Sequence, residues 1–249
     1  MSSIFESIFA GLPRQGPGRP SDTARALEIA QPWLPPEPRV LDLGCGSGGS
    51  TVVLADALRG PPIVAIDLNA SALSALAAAH PARIRTVVGD LAAIDPQLGP
   101  FDLIWSEGAA YTIGFGRALS LWRPGLADEG VLALSELCWL TDERPADAAR
   151  FWADGYPGMG SIGNATAAIE AAGYTLRGRF TLPPESWWEL YYTPLEARLA
   201  QLRATHASAP DALEVIEATQ AEIDLFRAHG GRYGYVFFVA QARPGPVLD

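Results

Sequence analysis

The sequence predicts an α/β fold, a doubly wound parallel sheet with helices on both faces. Short apolar runs recur beyond Pro38, at Arg39–Leu43, Ile63–Asp67, Ile84–Val88, Phe101–Trp105 and Gly130–Leu134. Stretches with helical patterning lie between them at Gly49–Leu58, Ala70–His80 and Gly116–Trp122. The runs are near-continuous rather than alternating, which is the pattern of strands covered on both faces. A chain that alternates strand and helix lays its strands side by side through right-handed crossovers.

Before this repeat, the Pro/Gly-rich stretches Leu12–Pro20 and Pro32–Pro38 bracket a helix over Asp22–Ala30, with Ser21 or Asp22 as its expected cap. Residues 1–35 therefore read as N-terminal cap helices. After the repeat, Tyr174–Leu182 and Tyr233–Ala242 read as strands. Between them, residues 183–232 form an expected helical insertion, with helices at Pro194–Thr205 and Ala212–Ala228. The second places Leu213, Ile216, Ile223 and Phe226 on one face. An insertion before a last strand suits a lid. With 249 residues, 49% of them apolar, the chain has enough material for one core, so residues 1–249 are expected to be a single domain.

Composition removes several function classes. A net charge of −10 repels phosphate backbones and anionic lipid, so a small-molecule partner is expected, with no nucleic acid and no membrane. All 18 basic residues are arginines. Without lysine there is no P-loop, no pyridoxal Schiff base and no Tyr-x-x-x-Lys dehydrogenase pair. Cys45 and Cys138 stand apart, and the three histidines share no ligand spacing, so no metal site is expected. Met1–Leu12 is interrupted by Glu6 and lacks an early positive charge, which fits neither a secretory signal nor a spanning helix and points to the cytoplasm.

The chemistry gathers at the ends of the strands. Val40–Ser50 closes a strand and opens a helix through Gly44, Gly46, Gly48 and Gly49, a loop that turns sharply and aims backbone amides at a ligand. Gly44-x-Gly46-x-x-Gly49 also satisfies the dinucleotide fingerprint, so the loop by itself admits two cofactors. Asp67 ends the second strand, where a carboxylate accepts both hydroxyls of a ribose. Asp42 precedes the first glycine by two residues. A negative charge there suits a sulfonium with its amino-acid group better than a pyrophosphate. Gly89-Asp90-Leu91 follows the third strand and is placed to read an adenine edge; Ser106-Glu107-Gly108 follows the fourth.

On Val40–Gly48, Asp67, Gly89-Asp90, Phe101–Ile104 and the turn Leu126–Gly130, the chain resembles the class I S-adenosylmethionine-dependent methyltransferases. A narrower bacterial group within that class is similar nearly end to end, through Arg14–Gly18, Trp105–Ala109, Ile113–Phe115, Thr141–Pro145, Phe151-Trp152 and Tyr233–Tyr235. The resemblance implies a Rossmann-like sheet of seven strands with an antiparallel last strand. It also implies transfer of a methyl group from S-adenosylmethionine to a small molecule, leaving S-adenosylhomocysteine. The acceptor atom, N, O or S, stays open, as does the choice between monomer and homodimer.

The implied cofactor residues are Gln15, Asp42, Gly44, Cys45, Gly46, Gly48, Asp67, Leu68, Asp90, Leu91 and Ser106. Asp90 has a competing use as a helix cap, and Gly16-Pro17-Gly18 as a plain turn. Methyl transfer draws much of its acceleration from alignment and needs a base only if the acceptor arrives protonated. Glu107 is the expected base or cation-binding acid, and Tyr111 the expected group that orients the acceptor. Trp139, Trp152, Tyr156, Trp187, Trp188, Tyr191 and Tyr192, with Glu136 and Glu185, cluster in the second half, where rings suit cation–π contact or simple packing; adjacent Trp187 and Trp188 cannot both face the site. Two other classes are a nucleotide-dependent oxidoreductase and a non-catalytic module that binds the cofactor.

Overall fold

The computed structural model describes residues 4–244; the first three residues of the expected cap lie outside them. Seven strands form one sheet: β1 (Val40–Leu43), β2 (Ile63–Asp67), β3 (Ile84–Val88), β4 (Phe101–Ser106), β5 (Leu126–Trp139), β6 (Tyr174–Thr181) and β7 (Tyr233–Ala242). Their order is β3-β2-β1-β4-β5-β7-β6. The first five run parallel, and β7 lies antiparallel between β5 and β6. Strand order reverses beside β1, so the loops after β1 and β4 part there and open a crevice at the strand ends.

Alternate strand residues feed two apolar layers. Val40, Leu103, Trp105 and Ala133 face one side, where helices α2 (Pro20–Ala30), α3 (Gly49–Ala57) and α4 (Ala70–Ala79) contribute Ala26, Leu54 and Leu73. Leu41, Leu43, Ile104 and Leu132 face the other, met by Leu119 of α5 (Phe115–Trp122) and Ile169 of α7 (Ile162–Ala171). β3 is the exception to the buried-strand pattern. It is the sheet edge, and Arg85 and Val88 are exposed.

Three elements differ from the sequence expectation. Helix α2 starts at Pro20, which supplies the fixed φ of a first helical position, so neither Ser21 nor Asp22 is its cap. Arg19 takes that place, and Asp22 reaches back to accept the Arg19 backbone N–H at 2.9 Å. β5 runs for 14 residues, where five were expected. At its start the expected turn is absorbed as a bulge between Phe101 and Leu103, with Glu129 at φ +58°. At its end, pairing with β7 carries the strand on to Trp139. The third difference is a single turn α8 (Glu185–Trp187) that widens into a π-helical turn, Trp188–Tyr192, before α9 (Thr193–Thr205) and α10 (Pro210–His229). Residues from this region join the first apolar layer: Trp187, Leu195, Leu199, Ile216, Ile223 and Phe226. Trp187 stacks on Phe226 at 4.1 Å between ring centres.

Candidate active site

The loop after β1 holds its shape through its backbone and its neighbours. Gly44 N–H and Cys45 N–H both donate to the Ile66 carbonyl, at 2.9 and 3.2 Å, which ties the loop to β2. Gly44 has φ +69°, and a Cβ there would stand 2.4 Å from that of Ala109, so the loops after β1 and β4 interlock with no room for a side chain. Gly46 N–H donates to Asp67 Oδ2 at 2.7 Å, and Asn69 N–H to Oδ1 at 2.8 Å. Each Asp67 oxygen keeps a lone pair for a ligand in the crevice.

Two joined cavities lie above these loops. The smaller, of about 330 Å³, is bounded by Gly44, Cys45, Gly46, Asp67, Leu68, Gly89 and Leu91 on one side and by Arg14, Gln15, Glu107 and Tyr111 on the other. The larger, of about 1240 Å³, shares Gln15, Asp67, Leu68 and Tyr111, then extends toward Tyr156, Trp187, Tyr191, Glu222 and Tyr235. Tyr111 thus stands at the junction, 41% exposed, with its ring 5.7 Å from that of Tyr156. Burial raises the Tyr111 phenol above its ordinary range. Its hydroxyl stays protonated near neutrality and offers a hydrogen bond.

Of the expected cofactor residues, Gln15, Gly44, Cys45, Gly46, Asp67, Leu68 and Leu91 therefore border the smaller cavity. Asp42, Gly48, Asp90 and Ser106 do not. Asp42 is fully buried below the loop and accepts hydrogen bonds from the Thr51 and Ser50 hydroxyls at 2.7 and 3.0 Å, so it anchors the start of α3 and touches no ligand space. Burial lifts its carboxyl to about 7, against the opposing pull of the Thr51 hydroxyl. Gly48 faces Leu76, which a Cβ would meet at 2.4 Å, so it serves helix packing. Asp90 is exposed and its Oδ1 accepts Ala92 N–H at 2.8 Å, the capping use the sequence also offered. The adjoining loop is instead held by Trp122, whose indole N–H donates to the Leu91 carbonyl at 2.8 Å. Ser106 is buried and spends its hydroxyl on the Leu43 carbonyl at 3.0 Å. The Cys45 thiol is pushed up by burial and stays neutral.

Glu107 also differs from its expected role. It borders the cavity, yet it accepts from Arg14 Nη2 at 2.5 Å, Thr23 Oγ1 at 2.7 Å and Trp105 Nε1 at 3.0 Å. With both oxygens engaged and the pair largely buried, Glu107 anchors the segment Arg14–Pro17. Arg14 belongs to the Arg14–Gly18 stretch singled out in the sequence, but its pairing with Glu107, 93 positions away, was not legible there. Its other nitrogen, Nη1, is buried and has no hydrogen-bond partner among the described residues. The guanidinium stands within 3.6 Å of the position a Cβ of Gly49 would occupy, at the first turn of α3. A buried, unpaired N–H beside a helix N-terminus is a fitted site for a carboxylate.

The aromatic residues divide by position. Trp152, Tyr156, Trp187 and Tyr191 line the larger cavity, whereas Trp139, Trp188, Tyr192 and Glu185 do not. Only one of the adjacent tryptophans reaches it. Glu136 is buried behind Tyr156, whose hydroxyl donates to its Oε1 at 2.5 Å, and burial raises the Glu136 carboxyl to about 7. Among the described residues no group of three or more His, Cys, Asp or Glu side chains is placed to hold a metal. No described helix is long and apolar enough to cross a membrane.

Comparison with known proteins agrees with this architecture. Residues 40–125 match the family model of a methyltransferase domain. A trans-aconitate 2-methyltransferase of Delftia acidovorans is 28% identical over 240 residues, covering 82% of this chain and 87% of that protein. A Geobacter sulfurreducens methyltransferase solved with S-adenosyl-L-homocysteine is 18% identical with a TM-score of 0.80, covering 98% of this chain and 99% of that one. The protein YJHP from E. coli is 19% identical with the same TM-score of 0.80, covering 96% and 99%. The matched domain begins at the glycine loop and ends just before β5, within a seven-stranded sheet whose last strand is antiparallel. Residues 40–125 thus match a methyltransferase domain, set within the fold of a methyltransferase solved with S-adenosyl-L-homocysteine.

Proposed function

We propose that the smaller cavity holds S-adenosylmethionine and that the larger one admits a small-molecule methyl acceptor. The observation that carries this reading is the pair of joined cavities, one walled by the glycine loop and Asp67, the other by aromatic rings. Asp67 would accept the ribose hydroxyls on its remaining lone pairs, and Leu68 and Leu91 would sandwich the base. Arg14 Nη1, with the amides at the start of α3, would take the carboxylate of the amino-acid group. Gln15 sits on both cavities and would close over the junction. The cofactor supplies a methyl carbon made electrophilic by a cationic sulfur.

What the chain adds is alignment and exclusion of water. Tyr111, with a neutral hydroxyl at the junction, orients the acceptor. Glu107 acts indirectly by holding Arg14. Alignment of this sort supplies roughly 7–11 kcal/mol in favourable cases, so no dedicated base is required. Calorimetric titration with S-adenosylhomocysteine tests the assignment. Native protein is expected to bind it, and Asp67→Ala to bind it more than about tenfold more weakly, the loss of two charge-assisted hydrogen bonds. Unchanged affinity in that variant refutes the placement of the ribose. We further place the protein in the cytoplasm.

A further inference from the structure

The larger cavity has an unusual balance of charge. Its carboxylic acids are Glu6, Asp67 and Glu222, and no arginine or histidine lines it among the described residues. Arg198 belongs to no wall and donates to the Ala10 carbonyl. Arg14 lies on the cofactor side and is paired with Glu107. Asp67 is held by the Gly46 and Asn69 amides. Glu222 is therefore the acid that faces the aromatic end.

Glu222 reaches that end from α10. One oxygen, Oε1, accepts the Tyr192 hydroxyl at 2.9 Å, which fixes the carboxylate, and this is its one hydrogen bond among the described residues. Around it the cavity presents the rings of Tyr111, Trp152, Tyr156, Tyr191 and Tyr235. The Tyr235 hydroxyl stands 3.6 Å from the position a Cβ of Gly108 would take, which brings this ring up to the loop after β4. Burial keeps the Tyr191 and Tyr235 phenols neutral. Burial raises the Glu222 carboxyl above its ordinary range, and a cation seated among the neutral π faces restores the charged form, whereas an anion would lose its hydration and meet no counter-charge.

From this arrangement we infer that the methyl acceptor is an organic amine bearing an apolar or aromatic body, seated as its ammonium against Glu222 and the tyrosine and tryptophan rings. A tricarboxylate of the trans-aconitate kind does not suit these walls, although the relative that shares 28% of this sequence is named for that substrate. The inference rests on the methyltransferase reading for the fate of the amine. Before transfer, the ammonium gives one proton to water or to the Glu222 carboxylate. The nitrogen lone pair then bonds the methyl carbon as the carbon–sulfur bond breaks, its electron pair remaining on sulfur. The methylated product is again an ammonium.

Binding tests this without the methyl donor. The protein is titrated calorimetrically with three probes of one shape: tryptamine, tryptophol and indole-3-propionate, which carry an ammonium, a hydroxyl and a carboxylate. Tryptamine is expected to bind at least about tenfold more tightly than either counterpart. In Glu222→Gln, which keeps an acceptor for the Tyr192 hydroxyl, the preference is expected to fall below about threefold. Tyr111→Leu, at a partly exposed position that spares the core, is expected to weaken tryptamine more than tryptophol. A counterpart that binds as tightly as tryptamine overturns the inference. So does the absence of binding by all three, or a preference unchanged in Glu222→Gln. A protein that prefers tryptamine but ignores S-adenosylhomocysteine supports the amine site and refutes the donor reading, so the two fail separately.

Discussion

Glu107 shows how a residue's neighbours decide its work. Its position after β4 was legible in the sequence, and the cleft there came from topology. Its partners were not, because Arg14 and Thr23 come from a segment more than eighty residues earlier. Deleting one member of a buried ion pair leaves the other charged and unsolvated, at a cost of roughly 3–5 kcal/mol. Glu107→Gln is accordingly expected to free Arg14, lower the melting temperature and weaken S-adenosylhomocysteine at least about tenfold. Thermal denaturation and calorimetry read both. Stable protein with native cofactor affinity and slower turnover would return Glu107 to the acceptor side. Asp42 teaches the same lesson. Its place before the glycines was evident, but whether its side chain points into the cleft or beneath it depends on Ser50 and Thr51, in the first turn of α3.

Among the elements, β5 departs furthest from its sequence pattern, and the cause is Glu136. A strand interrupted by Ser135-Glu136 reads as ending there. In the fold the acid is buried and Tyr156 donates to it, so the strand continues. That burial has a measurable consequence. With the Glu136 carboxyl raised from an ordinary value near 4.5 to about 7, the folded state holds its proton more tightly than the unfolded chain does. Its contribution is complete below about pH 4.5 and is lost as the pH climbs to about 7, on the order of 3 kcal/mol. Asp42, raised to about 7, acts in the same direction. Glu136→Gln mimics the protonated acid and is expected to flatten the fall in unfolding free energy between pH 5 and 7. Denaturant titrations at several pH values test this, and a slope equal to the native one would show that Glu136 stays ionised. The strands β1, β2 and β4 were read within a residue, because burial on both faces leaves near-continuous apolar runs. The π-helical turn at Trp188–Tyr192 left no such trace, since its extra residue per turn is imposed by packing of the rings.

At the scale of the whole molecule, residues 183–232 read in the sequence as a helical lid insertion, and several of their apolar side chains are part of the core. Trp187 and Phe226 sit in the same apolar layer as Leu103 and Trp105 of β4. Truncating Phe226 to alanine is expected to cost roughly 3–5 kcal/mol, as large buried aromatic residues do. For a chain of this size that is a fall of about 6–20 °C in melting temperature. Circular dichroism on heating measures it. A loss under about 1 kcal/mol would mean that the helices pack independently of the sheet. The overall topology was legible because local periodicity and short connections constrain it strongly. Which side chains meet across the cavities was not, because those contacts join segments far apart in the chain, such as Arg14 with Glu107 and Tyr111 with Tyr156. The strip Gln15-Gly16-Pro17 is one such long-range meeting, and it borders both cavities at once. A wall held in common makes the two occupants partners in a thermodynamic cycle: whatever factor the first contributes to the affinity of the second, the second returns to the first.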